Sequence, residues 1–546
     1  MLMAAAMATQ HTHTLEESAP SPPAWWEWVL VFVAAAVAFG LGAANLDEPS
    51  LWHDELVHVA VARNIAETGV PALPSGVFYP SSLAYNYLLG AVVAVFGDAP
   101  TAVRLPSAVL GAALVLLLYL FTRRLLGRPT ALVAAFALAL SPWHVSWTRQ
   151  ARFYELQALA YVLFLWCAWR ALEAFSRKET IRWSAGAAAA YVLGLLCSFH
   201  AILAAGVSGA YAGFMFLLEP SRRRRWAWAA VFSAMTGLLT LLALRLNPNP
   251  TDQAAMFETG IGGVMPDPQR EIRFYYFQWL GWNLSLGYLV LAGAGTVLLP
   301  WLERRRGLFA VLAFWGPLLV LTFLVGYRRP RFMYFAFPVY LVLCSYALVR
   351  LAVWLPCFRR SPIHALGAAL VLFFLVRVGL SSMALAGDSL DIAGGADITL
   401  ARRHPQWEEP CGWIREHAEE DDAILTTTFL PVHYYVGRVD NWFPNRYQRW
   451  EEQESGLEGL GSLGELRAWL AERRKGFFIA ESYRFEYWRY HGDLVDTLGR
   501  EVAWVTSHMT RIDEASSEDV TVYHWDFTGR QVPATPPPQE TAANAR

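Results

Sequence analysis

Charge is in short supply along this chain: Asp, Glu, Lys and Arg account for 16% of its 546 residues, and hydrophobic residues for 55%. With a mean hydropathy of +0.29, that shortage excludes an ordinary soluble domain over most of the length. Basic residues are missing from 1–23, which removes the positive segment a cleavable signal needs and predicts a cytoplasmic tail followed by a retained anchor. Cysteine is sparse as well. Of the five, Cys167, Cys197, Cys344 and Cys357 lie in or beside apolar runs, and Cys411 alone lies in the polar C-terminal stretch, so no disulfide framework forms there. Lys and Arg fall in short clusters between apolar runs instead of along one face, so the formal net charge of −2 says nothing of nucleic acid, and no nucleic-acid partner is expected. No internal repeat is visible.

What is present is apolar sequence in lengths that match a bilayer. A run at 24–44, opened by Trp25, Trp26 and Trp28 as an interfacial belt, is followed by runs near 103–122, 129–146, 154–172, 183–199, 200–219, 227–246, 284–301, 308–326, 332–352 and 363–385. Each is close to the ~20 residues that span ~30 Å of hydrocarbon. Basic clusters punctuate alternate connections: Arg123, Arg124 and Arg128; Arg177, Lys178 and Arg182; Arg222 to Arg225; Arg304 to Arg306; Arg359 and Arg360. The positive-inside rule places these in the cytoplasm. Residues 45–102, 147–153, the turn near His200, 247–283, 327–331 and everything beyond about 386 then face outward. The alternation closes if "LAYNYLLGAVVAVFG" (83–97) is a juxtamembrane helix, and Pro80 ahead of it suits a helix that starts at the interface.

Charge returns after 386. Residues 395–530 read as a soluble α/β unit in alternating order: "CGWIREHA" is an amphipathic helix, "AILTTT" a strand, "GELRAWLAER" a helix and "GFFIAE" a strand, which implies a Rossmann-like layer. It contains no Gly-rich phosphate loop. The Pro-rich stretch 531–546 is expected to be disordered.

One polar segment stands directly after the first run. "LWHDELVHVA" (51–60) holds His53, Asp54, Glu55 and His58. The histidines are five apart, about 140° around a helix of ~3.6 residues per turn, so one helix cannot chelate zinc through both. Asp54 and His58 share a face. A carboxylate at the membrane surface beside a second one can act as a general base; an interfacial amphipathic helix with its polar face in water accounts for the same residues.

The layout, with a single N-terminal membrane helix, an outer loop opening on Asp54-Glu55 and then "FYPSSLAYNYLLGAVVAVFGDAPTAVRLPSAVLGAALVLLLYLFTRRLLG", resembles the GT-C superfamily of polytopic glycosyltransferases. It looks most like the branch of protein O-mannosyltransferases and lipid A aminoarabinose transferases. The resemblance implies an α-helical polytopic membrane protein of about eleven transmembrane helices with a C-terminal external α/β domain. It implies a catalytic domain at 24–390 with its first external loop at 45–102, in the cell inner (plasma) membrane, and the α/β domain on the external, periplasmic side. It also implies inverting transfer of a sugar from a polyprenyl-phosphate carrier to an acceptor protein, lipid or glycan at the outer face of the bilayer, with no cofactor required.

In that family's pattern Asp54 matches the general base and Glu55 the acceptor-positioning partner. Arg149, Arg152 and Tyr154 match an Arg-x-Tyr segment at the outer start of a helix, and Arg331 precedes Phe332 where relatives carry tyrosine. Together with His200 these are the groups implied for the carrier phosphate; arginine's planar fork suits it, although Arg149, Arg328 and Arg329 at helix ends also fit snorkelling to headgroups. Several relatives have Lys or His before the proline of the first loop. Here Tyr79 precedes Pro80, and a phenol brings a hydrogen bond without charge. His53 and His58 fall to acceptor or site support. A divalent cation held by His53, Asp54, Glu55 and His58 with a residue from another loop stays open. A flippase of polyprenyl-linked glycans would share the helices but would place polar or broken helices near the midplane, whereas charge here gathers at helix ends. A ligand sensor would lack a cytoplasmic signalling domain.

Overall fold

The structure, a computed structural model, describes residues 23–174, 176–245, 274–325, 328–354, 362–394, 405–444, 449–485 and 495–533. The tail expected at 1–22, much of the loop 247–283, Arg359, Arg360 and the stretch 534–546 lie outside the described residues.

Helices dominate, and each expected apolar run coincides with one. They are α1 (Trp25–Ala43), α2 (His53–Thr68), α3 (Leu83–Phe96), α4 (Pro100–Leu126), α5 (Arg128–Ala139), α6 (Pro142–Thr148), α7 (Tyr154–Glu173), α8 (Arg177–Cys197), α9 (Ile202–Leu218), α10 (Arg223–Arg245), α11 (Tyr275–Asn283), α12 (Leu286–Leu302), α13 (Arg304–Phe323), α14 (Phe337–Trp354) and α15 (Pro362–Ala393). Among the described residues, eight are long and apolar enough to cross a membrane, and the pair α5 and α6, bent by 59°, makes a ninth. The bend has a local cause: Pro142 opens α6 and removes a backbone donor just where α5 ends. The remaining two expected spans are α7, which carries Glu155, Arg170 and Glu173, and the 17-residue α12. As expected, 83–96 forms a short helix; fourteen residues reach about 21 Å, too short to cross.

Burial sorts the helices. The span Pro330–Trp354 is 83% buried and forms the centre of the bundle, whereas Pro220–Leu242 and Val371–Ala393 are 6% buried and offer their apolar side chains to lipid. Small residues let backbones approach. A Cβ on Gly295 of α12 would sit 2.3 Å from the Leu343 carbonyl oxygen of α14.

Among the described residues, Arg123, Arg128, Arg305 and Arg350 gather at one end of the bundle. There Glu27 of α1 is buried with Arg123 Nε at 2.8 Å, Arg128 Nε at 3.0 Å and the Tyr119 hydroxyl at 2.7 Å. Arg305 pairs with Glu219 and lies 3.8 Å from Glu173, and Arg350 lies 3.5 Å from Glu303. Asp54, Arg152 and Arg331 meet at the opposite end.

The C-terminal unit contains α16 (Glu408–His417), β1 (Ala423–Thr426), α17 (Phe429–Val436), β2 (Asn441–Trp442), α18 (Arg449–Ser455), α19 (Leu463–Glu472), β3 (Lys475–Glu481), α20 (Val495–His508), β4 (Thr510–Arg511) and β5 (Val520–Asp526). The sheet order is β2-β1-β3-β5-β4. β2, β1 and β3 are parallel, and β5 and β4 are antiparallel additions, so the Rossmann-like order holds only for its first half. Alternate residues face two cores. Leu425, Phe478, Tyr523 and Trp525 pack with α19 and α20. Ile424, Phe477, Ile479 and Val522 share a cluster with Leu51, Leu56 and Val59 of the first loop and α2.

Gly295→Ala is expected to cost about 1–3 kcal/mol through overpacking and lower the thermal midpoint in detergent, while Gly40→Ala, which meets nothing within 4 Å, leaves it unchanged. Equal midpoints for the two variants would contradict the α12–α14 contact.

Candidate active site

The site begins with a clamp. α2 has acidic residues in its first turn, Asp54 and Glu55, where the helix dipole favours negative charge. The two point apart. Glu55 turns inward and is fully buried, receiving Arg104 Nε at 2.9 Å, Arg104 Nη2 at 2.7 Å, the Ala151 amide at 2.7 Å and the Trp52 amide at 3.4 Å. Arg104 Nη1 donates to the carbonyls of Leu46 at 2.9 Å and Pro49 at 2.7 Å, and Nη2 reaches that of Ser50 at 3.3 Å. The loop preceding α2 is thus wrapped on one guanidinium. Arg149 completes the wrap by donating to the carbonyls of Ala44, Asn45 and Glu48; burial and nearby Arg104 lower its pKa to about 10. Glu55 and Arg149 therefore hold the loop in shape. With its oxygens committed and no exposure, Glu55 does not offer the acceptor contact that the resemblance implied, nor Arg149 a phosphate contact.

Asp54 points to the open side, 25% exposed, and its Oδ2 meets Arg331 Nη1 at 2.7 Å and Arg152 Nη1 at 3.0 Å. Three segments far apart in sequence supply these groups: the start of α2, the turn before α7, and the 3₁₀ helix Pro330–Ala336. Arg152 is buried and fixed on several sides. It donates to the Asp54 carbonyl at 2.7 Å and the Tyr154 hydroxyl at 3.2 Å, and lies over the rings of Trp52 at 5.5 Å and Tyr154 at 5.3 Å. Burial opposes the Asp54 charge, but Arg152 and Arg331 outweigh it and hold the carboxyl far below its ordinary range; Asp54 in turn raises Arg152 against its own burial.

The remaining expected residues surround this trio. His58 sits one turn below Asp54 with Nδ1 2.6 Å from Asn86 Oδ1, and Asn86 Nδ2 donates to the Ser81 carbonyl at 2.8 Å. That amide orientation makes Nδ1 of His58 the protonated nitrogen. Burial, then Arg152, lowers its pKa to about 3. Tyr79 packs its ring at 6.3 Å from that of His58, and burial pushes its phenol up to about 12. His200, with Nδ1 2.8 Å from Ser198 Oγ, sets its ring 4.9 Å from that of Phe332 at a tilt of 32°, and Phe332 is the neighbour of Arg331.

The cation set envisaged from sequence does not assemble, because Glu55 is held by Arg104, His58 by Asn86 and Asp54 by two arginines. His53 instead reaches across to the C-terminal unit: its Nε2 lies 3.2 Å from Glu454 Oε1 of α18, with Glu451 alongside. One imidazole and two carboxylates are ligands a divalent cation accepts.

Sequence reasoning missed a second polar cluster under the site. Tyr334 donates to Glu155 and lies 2.8 Å from His144 Nδ1, which is 3.3 Å from Glu155, all buried. Tyr334 stands three residues after Arg331 on the 3₁₀ helix, hence on the same face, and Glu155 follows Tyr154. The cluster therefore ties the two arginine-bearing segments to each other. Arg104 was also passed over, although an arginine inside an apolar run is itself a signal.

A polytopic helical bundle whose first loop presents a carboxylate to arginines at one end, capped by a small α/β unit, is the architecture of the GT-C fold. The profile of a family described as dolichyl-phosphate-mannose-protein mannosyltransferase matches residues 80–245. The fold is similar to that of ArnT from Cupriavidus metallidurans bound to undecaprenyl phosphate, with 12% identity, coverage of 92% of this chain and 98% of that one, and a TM-score of 0.60. It is similar also to the archaeal oligosaccharyltransferase AglB from Archaeoglobus fulgidus in complex with an inhibitory peptide and a dolichol-phosphate, with 12% identity, 85% and 70% coverage and a TM-score of 0.57. A Zn and sulfate complex of the Archaeoglobus fulgidus oligosaccharyltransferase matches at 13% identity over 92% and 74% of the chains, with a TM-score of 0.57. Among curated proteins none matches. The chain is a multi-pass membrane protein with the GT-C fold.

Arg104→Ala should be far more disruptive than a surface change, costing about 3–5 kcal/mol because Glu55 stays buried without its cation; a protease-resistant, normally accumulating variant would contradict the clamp. The pH dependence of Asp54 is equally specific. A carboxyl held below its unfolded value contributes stability that is complete above about pH 4 and fades as pH falls through the depressed value. The stability difference between wild type and Asp54→Asn should accordingly be flat from about pH 5 upward, and a difference that disappears near pH 6 would argue against this pairing.

Proposed function

We propose that the chain is an inverting glycosyltransferase that moves a sugar from a polyprenyl-phosphate carrier to an acceptor at the outer face of the membrane. The observation that carries this reading is Asp54 held between Arg152 and Arg331 at one membrane face. A lone accessible carboxylate beside two guanidinium groups is the minimum for such a displacement. Asp54 accepts the proton of the acceptor hydroxyl as its oxygen attacks the anomeric carbon; the bond from that carbon to the phosphate oxygen breaks on the opposite side, and the electron pair leaves with the carrier phosphate, where the arginines neutralise it. The phosphate is a competent leaving group without protonation.

Support comes from the shared GT-C fold, from relatives whose structures hold undecaprenyl phosphate and dolichol-phosphate, and from the chemistry of the neighbours. Tyr154 and Trp52 hold Arg152 in place, His200 and Phe332 flank Arg331, and Tyr79 offers a neutral hydroxyl. His58 stays uncharged and supports α2 through Asn86. On this reading the domains run as the sequence suggested, with 24–390 catalytic and 395–530 on the outer, periplasmic side of the inner membrane.

In membranes supplied with a panel of radiolabelled polyprenyl-phosphate sugars, wild type should consume one donor, and Asp54→Asn should reduce transfer by at least about 10²-fold; full activity in that variant removes the base assignment. Arg152→Ala and Arg331→Ala should raise the donor KM more than they lower kcat. Because His58 titrates near pH 3, the activity profile should show no inflection near pH 6.5 from this group, and an inflection there that His58→Asn abolishes would count against its neutral role.

A further inference from the structure

A base that rests against two guanidinium groups is a weak base, and guanidinium groups that rest against a carboxylate are already occupied. Both conditions hold here, since a single oxygen, Asp54 Oδ2, takes Nη1 of Arg152 and Nη1 of Arg331. The partners differ in freedom. Arg152 is tethered by the Asp54 carbonyl and the Tyr154 hydroxyl and lies against aromatic rings, so its fork stays where it is. The Asp54 side chain stands on the first turn of α2, partly exposed, where rotation about its own side-chain bonds is the only movement needed to leave the arginines and the helix backbone stays in place.

We propose that the carrier phosphate and the Asp54 carboxylate exchange places on Arg152 and Arg331, so that the donor releases the base it needs and the base, on returning, expels the spent carrier. This rests on the reading above. The charges fit a cycle. The sugar donor is a phosphodiester with one negative charge, so its entry trades one monoanion for another. Cleavage leaves a phosphate monoester approaching two negative charges near neutral pH, and that product holds the arginines more tightly than the donor did. A neighbouring carboxylate that competes for the same two nitrogens weakens the product's hold. Asp54 therefore has two roles, proton acceptor while the phosphate is bound and, once it has given that proton up to water and regained its charge, competitor of the phosphate afterwards. An acceptor that arrives before the donor meets a base already neutralised by its arginines, so donor binding precedes productive acceptor binding.

The test is equilibrium binding of undecaprenyl phosphate to the full chain in detergent, for wild type, Asp54→Asn, Asp54→Ala, Arg152→Ala and Arg331→Ala, with folding checked by thermal unfolding. Removing the competitor should tighten binding roughly fivefold to tenfold in both Asp54 variants, as expected for loss of one close like charge. The two variants together separate charge from side-chain shape. If the arginine variants weaken binding and neither Asp54 variant tightens it, the exchange is wrong while the phosphate assignment of the arginines stands. If the arginine variants bind as wild type does, that assignment fails, and this inference fails with it.

Discussion

The loop between α1 and α2 is held by one buried ion pair, Glu55 with Arg104. A fully buried carboxylate is tolerated only with a compensating cation and filled hydrogen-bond positions, and here both conditions are met by a guanidinium that also gathers three carbonyls of the preceding loop. The pair determines the direction of its neighbour. With Glu55 turned inward at the start of α2, the adjacent Asp54 must point away from the clamp, toward the arginines of the turn before α7 and of the 3₁₀ helix. The acidic dipeptide thus divides its labour, one residue holding the loop and the other facing the opening.

The helix that carries Arg104, α4, is clamped at both ends. Arg104 meets Glu55 near the start of α4 and Arg123 meets Glu27 near its finish; the rise from residue 104 to residue 123 is about 28 Å along a helix, close to the thickness of a hydrocarbon core. Along α4, charge thereby stands in two layers, at its ends, with apolar helix between them. The bend between α5 and α6 serves the upper layer, because it returns the chain toward the site with His144 and Arg149 in position.

Much of this organisation was legible in sequence, because hydrophobic run length and basic clusters report directly on a bilayer. The eleven runs, the short helix at 83–96 and the order of helices and strands in "CGWIREHA", "AILTTT", "GELRAWLAER" and "GFFIAE" all follow from local pattern. Side-chain partners do not. Nothing local distinguishes Asp54 from Glu55; Arg104, some fifty residues later, does. Arg152 and Arg149 stand three residues apart in the turn before α7, yet only Arg152 faces Asp54, because Arg149 is consumed by carbonyls of the α1–α2 loop. His53 looked like a companion of His58 and instead meets Glu454, a pairing set by how α18 docks. The antiparallel half of the sheet also escaped the βα pattern, since β4 and β5 return without a crossover helix between them.

The apolar cluster shared by the first loop and the C-terminal unit decides how they can be separated. Leu51, Leu56 and Val59 are buried among Ile424, Phe477 and Val522, and the loop backbone is stitched to the C-terminal unit through Ser50 with Gln406, Leu51 with the Tyr435 hydroxyl, and Asp98 with the Tyr434 hydroxyl. The sheet is therefore not a detachable cap above a finished membrane bundle; it is half of the core into which the first loop folds. A chimera that exchanges the C-terminal unit with that of a relative would have to carry residues 45–102 with it, and removal of the unit would strip α2 of its packing before it revealed anything about acceptor choice.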